Sequence, residues 1–111
     1  MNIFQKIFKA SEKPDLKELI EQGAFLVDVR TAAEFELGHV KGSVNIPLDK
    51  IPTQVAQCRG RKNIIVFCLS GGRSSQAKSI LERNGITGVI NGGGWQEVNR
   101  ISLSCVTNVT V

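Results

Sequence analysis

Beyond its carboxylates and hydroxyls, this 111-residue sequence offers few groups for chemistry, chiefly three cysteines and one histidine. Cys58, Cys68 and Cys105 are odd in number, far apart and without a CxxC pair. With His39 as the single imidazole, ligand spacing for zinc is missing. In a reducing compartment all three stay thiols, and the question is which one has surroundings that make it reactive. Cys68 opens the run C-L-S-G-G-R-S, which lies between an apolar stretch and the start of a helical pattern. Gly71 and Gly72 permit positive φ angles, so the backbone can wrap with several N–H groups aimed at one centre. The helix that follows adds its own free N–H groups to the same partial positive charge. A thiol at the start of such a cradle loses its proton more readily than free Cys, and its thiolate is a nucleophile. A leaving anion or a terminal sulfur attached to it is held by the same amides. No metal or organic cofactor is required. A lone Cys ending a core strand is by itself a small apolar residue, and Gly-Gly a plain turn. The conjunction of strand, Cys68, two glycines, Arg73 and helix start favours the reactive reading.

The elements that position this loop are legible in the periodicity. Residues 15–22 carry Leu16, Leu19 and Ile20 at helical spacing, with Pro14 before and Gly23 after. Residues 24–29 form an apolar run of the length of a strand buried on both faces. Thr31 and Glu34 have capping-box spacing, opening a short helix that ends at Gly38. Residues 44–46 read as a second short strand. Leu48, Ile51 and Val55 then share one face of a short helix broken around Pro52. Residues 63–68, with Ile64, Ile65, Val66 and Phe67, read as a central strand. From Ser74, the spacing of Ala77, Ile80 and Leu81 predicts a helix ended by Asn84 and Gly85. Val89 and Ile90 begin a last core strand that Gly92 to Gly94 turn sharply. Strands alternating with helices give an α/β class: a central, mostly parallel sheet with helices on both faces. Ligands bind beyond the carboxyl ends of such strands, where the loop after Phe67 falls.

Length and composition agree with one domain. The 14 Lys and Arg against 10 Asp and Glu leave a net charge of +4, and 41% hydrophobic with 22% charged residues is ordinary globular usage. Disorder, collagen and coiled coil are excluded. The basic residues are scattered and aromatics are few, with no Tyr, one Trp and five Phe, so nucleic acid is not the expected partner. The N-terminal MNIFQKIFKASEKPD has no secretory h-region with a small-residue cleavage site, and no apolar run approaches the ~20 residues of a spanning helix. A cytoplasmic protein with no membrane partner is the expectation.

The loop resembles the active-site loop of the rhodanese-like sulfurtransferase family, whose pattern is Cys, two variable residues, Gly, a variable residue, Arg, then Ser or Thr; every fixed position is present. LVDVRTAAEFELGHVKGSVNIPL is similar to a first family block, with Asp28, Arg30, Glu34, Gly38, His39, Gly42, Asn45, Ile46 and Pro47 in place. VINGGGWQEV is similar to its Gly-Gly-Trp block. Together the three ordered blocks cover about residues 15–98 of a single rhodanese-like domain over 1–111.

The resemblance implies a three-layer rhodanese-like fold and a sulfurtransferase. Cys68 attacks the outer sulfur of thiosulfate or a related donor, sulfite leaves, and a thiol or cyanide, or a protein sulfur acceptor, removes the sulfur from the Cys68 persulfide in a ping-pong cycle. A persulfide carrier serving a dedicated protein partner, or a non-catalytic binding module, is the alternative. Relatives with phosphatase or arsenate-reductase chemistry use a loop one residue longer. With four residues between Cys68 and Arg73 the cradle better fits one sulfur atom, and the loop has no Asp or Glu as a general acid. The cradle set is Leu69, Ser70, Gly71, Gly72, Arg73 and Ser74, with Leu69 and Ser70 setting substrate preference. Arg73 either binds donor oxygens or pairs with an acid such as Glu34. Arg30 either lines the donor pocket or pairs with Glu34. Asp28 ends its strand by bonding nearby backbone, His39 is a turn residue, and Trp95 seals the core beside the loop. Residues 99–111 depart from the family pattern. Ile101, Leu103, Cys105 and Val109 on alternate positions give either an extra edge strand or an exposed, sticky tail. Cys58, beside Arg59 and Arg61, and Cys105 read as ordinary thiols.

Overall fold

The computed structural model describes residues 14–109, and the expectation for the N-terminal MNIFQKIFKASEKPD lies largely outside them. A first helix, α1 (Leu16–Glu21), is capped by the Asp15 carboxylate, which accepts from Glu18 N at 3.3 Å. Strand β1 (Phe25–Asp28) follows, then α2 (Ala32–Glu36), β2 (Val44–Asn45) and two 3-10 turns, Leu48–Thr53 and Val55–Cys58. The chain continues through β3 (Ile64–Cys68), α3 (Gly72–Arg83), β4 (Val89–Gly94) and α4 (Trp95–Val109).

The four strands pair in the order β2-β1-β3-β4, and every pairing is parallel. Parallel strands buried on both faces need near-continuous apolar sequence, and β3 is buried at all five positions. Its residues alternate between two cores. Ile64, Val66 and Cys68 join Val27, Val29, Ile51, Ala77 and Leu81 on one face, under α3 and the 3-10 turns. Ile65 and Phe67 join Leu26, Val40 and Val98 on the other, against α1, α4 and Trp95. Each fully buried Ile, Val or Phe contributes about 1.5–3 kcal/mol, so the strand that delivers Cys68 is among the best anchored in the molecule.

Two elements differ from the sequence expectation. The glycines after Ile90 do not end the strand; β4 runs on to Gly94 and α4 starts at once with Trp95. The register with β3 slips there, with Val66 opposite Asn91 but Phe67 opposite Gly93, so Gly92 is an extra residue in a bulge. Gly93, at φ +84°, supplies the backbone turn, and a Cβ on Gly92 would lie 2.8 Å from Ile65 Cγ2. The C-terminal stretch is neither an edge strand nor a loose tail but helix α4. Val98 is fully buried and Cys105 8% exposed, while Leu103 is 55% exposed, a burial pattern of helical and not alternate spacing. Pairing with α1 settles the conformation, and Cys105 Sγ reaches Lys17 O at 3.8 Å.

Candidate active site

Where β1 and β3 end, on the same edge of the sheet, the chain must turn without leaving buried polar groups unpaired. After β1 the turn is built on Asp28, which is fully buried and accepts from Arg30 N at 3.0 Å. The Arg30 guanidinium closes on the same carboxylate, Nε to Oδ1 at 3.0 Å and Nη2 to Oδ2 at 2.8 Å, donates to Gly38 O at 2.7 Å and lies 4.4 Å over the Trp95 ring. Asn45 Nδ2 donates to the carbonyls of Asp28 and Arg30. Arg30 therefore neither reaches Glu34 nor faces an open donor pocket. It is 3% exposed, because a buried Asp28 carboxylate needs a charge-matched, forked partner. Trp95, on the Arg30 side, packs with Val40, Phe67 and Val98 and closes the core beside Gly38. His39 is exposed, stacked 3.8 Å on Phe35, with Nδ1 2.9 Å from Phe35 O.

The loop after β3 begins with Cys68 at 1% exposure. Leu69 and Ser70 stand at the surface. Gly71, at φ +103°, is the residue before α3 and turns its N–H onto Cys68 Sγ at 3.0 Å; this is the left-handed region that a residue with a Cβ enters only at a cost. Gly72 is already helical, and Arg73 and Ser74 lie in the first turn. Ser74 is fully buried, and its Oγ sits 3.5 Å from Cys68 Sγ.

Arg73 turns away from Sγ. Its guanidinium forms a forked pair with Glu34, at 2.8 Å to Oε1 and 3.1 Å to Oε2. Glu34 completes the expected capping box, accepting from Thr31 N at 2.9 Å while Glu34 N donates to Thr31 Oγ1 at 3.2 Å. One carboxylate thus caps α2 and holds the base of the loop. The Arg73 hydrogen bond first, then the Thr31 N–H, hold the Glu34 carboxyl down at about 2.

Burial alone would push the Cys68 thiol up. Hydrogen bonds to the thiolate from the Ser74 hydroxyl and from the backbone N–H groups of Ser74, Ser70 and Gly71 outweigh it, and its pKa falls to about 7. Near neutrality a large share of Cys68 is therefore thiolate inside a ring of N–H donors. Cys58 lacks this, because burial pushes its thiol up against the pull of Arg61; Cys105, on α4, packs against α1 with Sγ 3.8 Å from Lys17 O.

One residue of the site is absent from the sequence reading. Asn91, on β4, is 2.7 Å from Ser74 Oγ through Oδ1, which also accepts from Gly93 N at 2.9 Å, while Nδ2 donates to Gly71 O at 3.2 Å. A polar residue between Val89, Ile90 and three glycines was its only signal in the chain.

A groove of about 610 Å³ runs beside the loop, lined among others by Ser70, Gly71, Asn91 and Glu97. No helix among the described residues is long and apolar enough to cross a membrane.

Comparison with known proteins bears on this geometry. The model of the Rhodanese-like domain matches residues 12–100. The chain is 38% identical over 74 residues to thiosulfate sulfurtransferase PspE of Escherichia coli, covering 65% of this chain and 71% of that protein. It is 33% identical over 93 residues to thiosulfate sulfurtransferase GlpE of Pseudomonas savastanoi pv. phaseolicola, covering 84% and 88%. The chain spans 60% and 65% of the length of two further curated relatives. A solved structure, a rhodanese with anions from E. coli, is similar with a TM-score of 0.61 at 36% identity, covering 68% of this chain and 91% of that one.

Proposed function

This chain belongs to the rhodanese-like sulfurtransferase family, and from that premise we propose that it moves sulfane sulfur from thiosulfate or a related donor to a thiol or cyanide through a persulfide on Cys68. The observation that carries the reading is the Sγ of Cys68 under the Gly71 N–H at 3.0 Å, with a pKa brought down to about 7 by the loop's donors. The Cys68 thiolate attacks the outer sulfur of the donor. The donor S–S bond breaks, sulfite departs with its electron pair, and a new Sγ–S bond leaves a terminal sulfur carrying the negative charge. The same backbone N–H groups that held the thiolate then stabilise that anion. An acceptor thiolate or cyanide attacks the terminal sulfur, the Sγ–S bond breaks, and Cys68 returns as a thiolate.

The cradle also supports a choice of donor. At 1% exposure Cys68 favours a reacting atom that projects from the rest of its molecule, as the outer sulfur of thiosulfate does. Leu69 and Ser70 at the surface place no charge on the rim, and Arg73 is held on Glu34, so it stiffens the loop instead of meeting the donor.

Intact-mass measurement of the reduced protein after thiosulfate, before and after cyanide, tests the proposal. Wild type is expected to gain one sulfur that cyanide removes, and Cys68→Ser to gain none. A wild type without the adduct would exclude thiosulfate as donor and favour delivery of sulfur by a protein partner.

A further inference from the structure

The amide of Asn91 is oriented by two backbone groups whose roles are fixed. Gly93 N–H only donates, so the atom 2.9 Å from it is Oδ1; Gly71 C=O only accepts, so the atom 3.2 Å from it is Nδ2. Oδ1 carries no proton, and the 2.7 Å contact with Ser74 Oγ is therefore a bond in which Ser74 donates. A hydroxyl has one proton. With that proton on Asn91, Ser74 presents only lone pairs to Cys68 Sγ at 3.5 Å, and there it accepts from the thiol S–H. Donation from Ser74 to a Cys68 thiolate and donation to Asn91 cannot coexist. Ser74 is fully buried, so bulk water does not reach its hydroxyl, whereas Asn91 is exposed and its Oδ1 is open to solvent when the hydroxyl turns away.

We propose that Asn91 is a positioning residue that governs the direction of the Ser74 hydroxyl: toward Asn91 while Cys68 is a thiol, and toward Sγ once the thiol proton has left to solvent. On ionisation the Ser74 O–H turns from Oδ1 to Sγ, and Oδ1 keeps the Gly93 N–H. When a second sulfur is carried on Sγ and the charge moves outward onto it, the hydroxyl returns to Asn91. Asn91 thus opposes formation of the free thiolate and favours both uncharged forms of Sγ. Other charges around Cys68 are fixed by their own partners: Arg73 of α3 by Glu34 of α2, and Asp28 at the end of β1 by Arg30. The β4 segment facing the loop, residues 91–94, is uncharged.

This proposal rests on the nucleophile assigned under Proposed function, but its test does not involve sulfur transfer. The ionisation of Cys68 is read from the pH dependence of its alkylation by iodoacetamide, followed by mass at the Cys68 peptide. Ser74→Ala is made in three backgrounds: wild type, Asn91→Ala and Asn91→Asp. Without the competing acceptor Ser74 donates freely to the thiolate, so Ser74→Ala raises the midpoint more in Asn91→Ala than in wild type. One ordinary hydrogen bond corresponds to about half a unit to one unit of difference. A carboxylate holds the hydroxyl proton harder, so in Asn91→Asp the rise is smaller than in wild type. Loosening of the loop by the loss of the bond to Gly71 O is common to both members of each pair, and the Asp arm decides the matter if the Ala protein does not fold. Equal rises in all backgrounds, or a larger rise in wild type than in Asn91→Ala, overturn the proposal.

Discussion

Gly71 and Gly72 are adjacent and chemically identical, yet the structure gives them opposite tolerance for a methyl group. At Gly71 the backbone is at φ +103°, and an added Cβ meets nothing closer than Gly93 Cα at 3.5 Å; Gly72 has no atom within 4 Å of its Cβ position and no positive φ. The obstacle at Gly71 is therefore torsional and not steric. Both Ala substitutions reduce the freedom of the unfolded chain equally, so that effect cancels in their comparison and the strain alone remains, about 1–2 kcal/mol. Urea unfolding of Gly71→Ala and Gly72→Ala should differ by that amount, with Gly72→Ala at or above wild type. If Gly71→Ala relaxes by rotating the loop, its N–H leaves Cys68 Sγ. A hydrogen bond to a charged acceptor is worth about 1.5–3 kcal/mol, so the alkylation midpoint should rise by about 1–2 pH units from its position near 7. Gly72→Ala should leave the midpoint unmoved. Equal stabilities together with an unmoved midpoint in Gly71→Ala would refute the assignment of this turn as the source of the thiolate.

Asp28→Ala removes one half of a buried ion pair and leaves Arg30, 3% exposed, without its carboxylate; a loss of about 3–5 kcal/mol in urea unfolding is expected, and a loss below 1 kcal/mol would show the pair to be dispensable. Glu34→Gln tests the support of the loop. The Glu34 carboxyl is held at about 2 against an ordinary 4.5, so its stabilisation is complete above about pH 4.5 and disappears as pH falls toward 2. The thermal-stability gap between wild type and Glu34→Gln should follow that window and, for a pair a third exposed, stay within about 4–8 °C at neutral pH. A gap that persists at pH 2 would mean the substitution acts through something other than the charge.

Local signals in the chain carried far. The Thr31 and Glu34 spacing gives a capping box because both partners lie within one helical turn, and the apolar run before Cys68 gives a buried strand because each of its residues needs a core on one face or the other. What failed were relations set between elements. The sequence directs Arg30 toward Glu34 or a donor, whereas burial of Asp28, two residues earlier, decides its partner. Ile101, Leu103 and Cys105 look like a strand over five residues, but the face that α1 offers starts at Trp95 and Val98, and seen from there the spacing is helical. Asn91 became visible only through the one-residue bulge that sets β4 beside the loop, and no local pattern reports such a slip of register.

The positions of the loop differ in how freely they can be rewritten. Gly71 is committed by its torsion, Arg73 by Glu34, Ser74 by its burial and Asn91, and Cys68 by its own chemistry. Leu69 and Ser70 alone send their side chains outward, while it is the backbone of Ser70 that helps to hold the thiolate. Under the proposed function, recognition and reactivity are thereby assigned to separate parts of the same seven residues. On that proposal, a descendant of this protein, or a library built on it, changes its clientele at two letters and leaves the donors around Sγ in place.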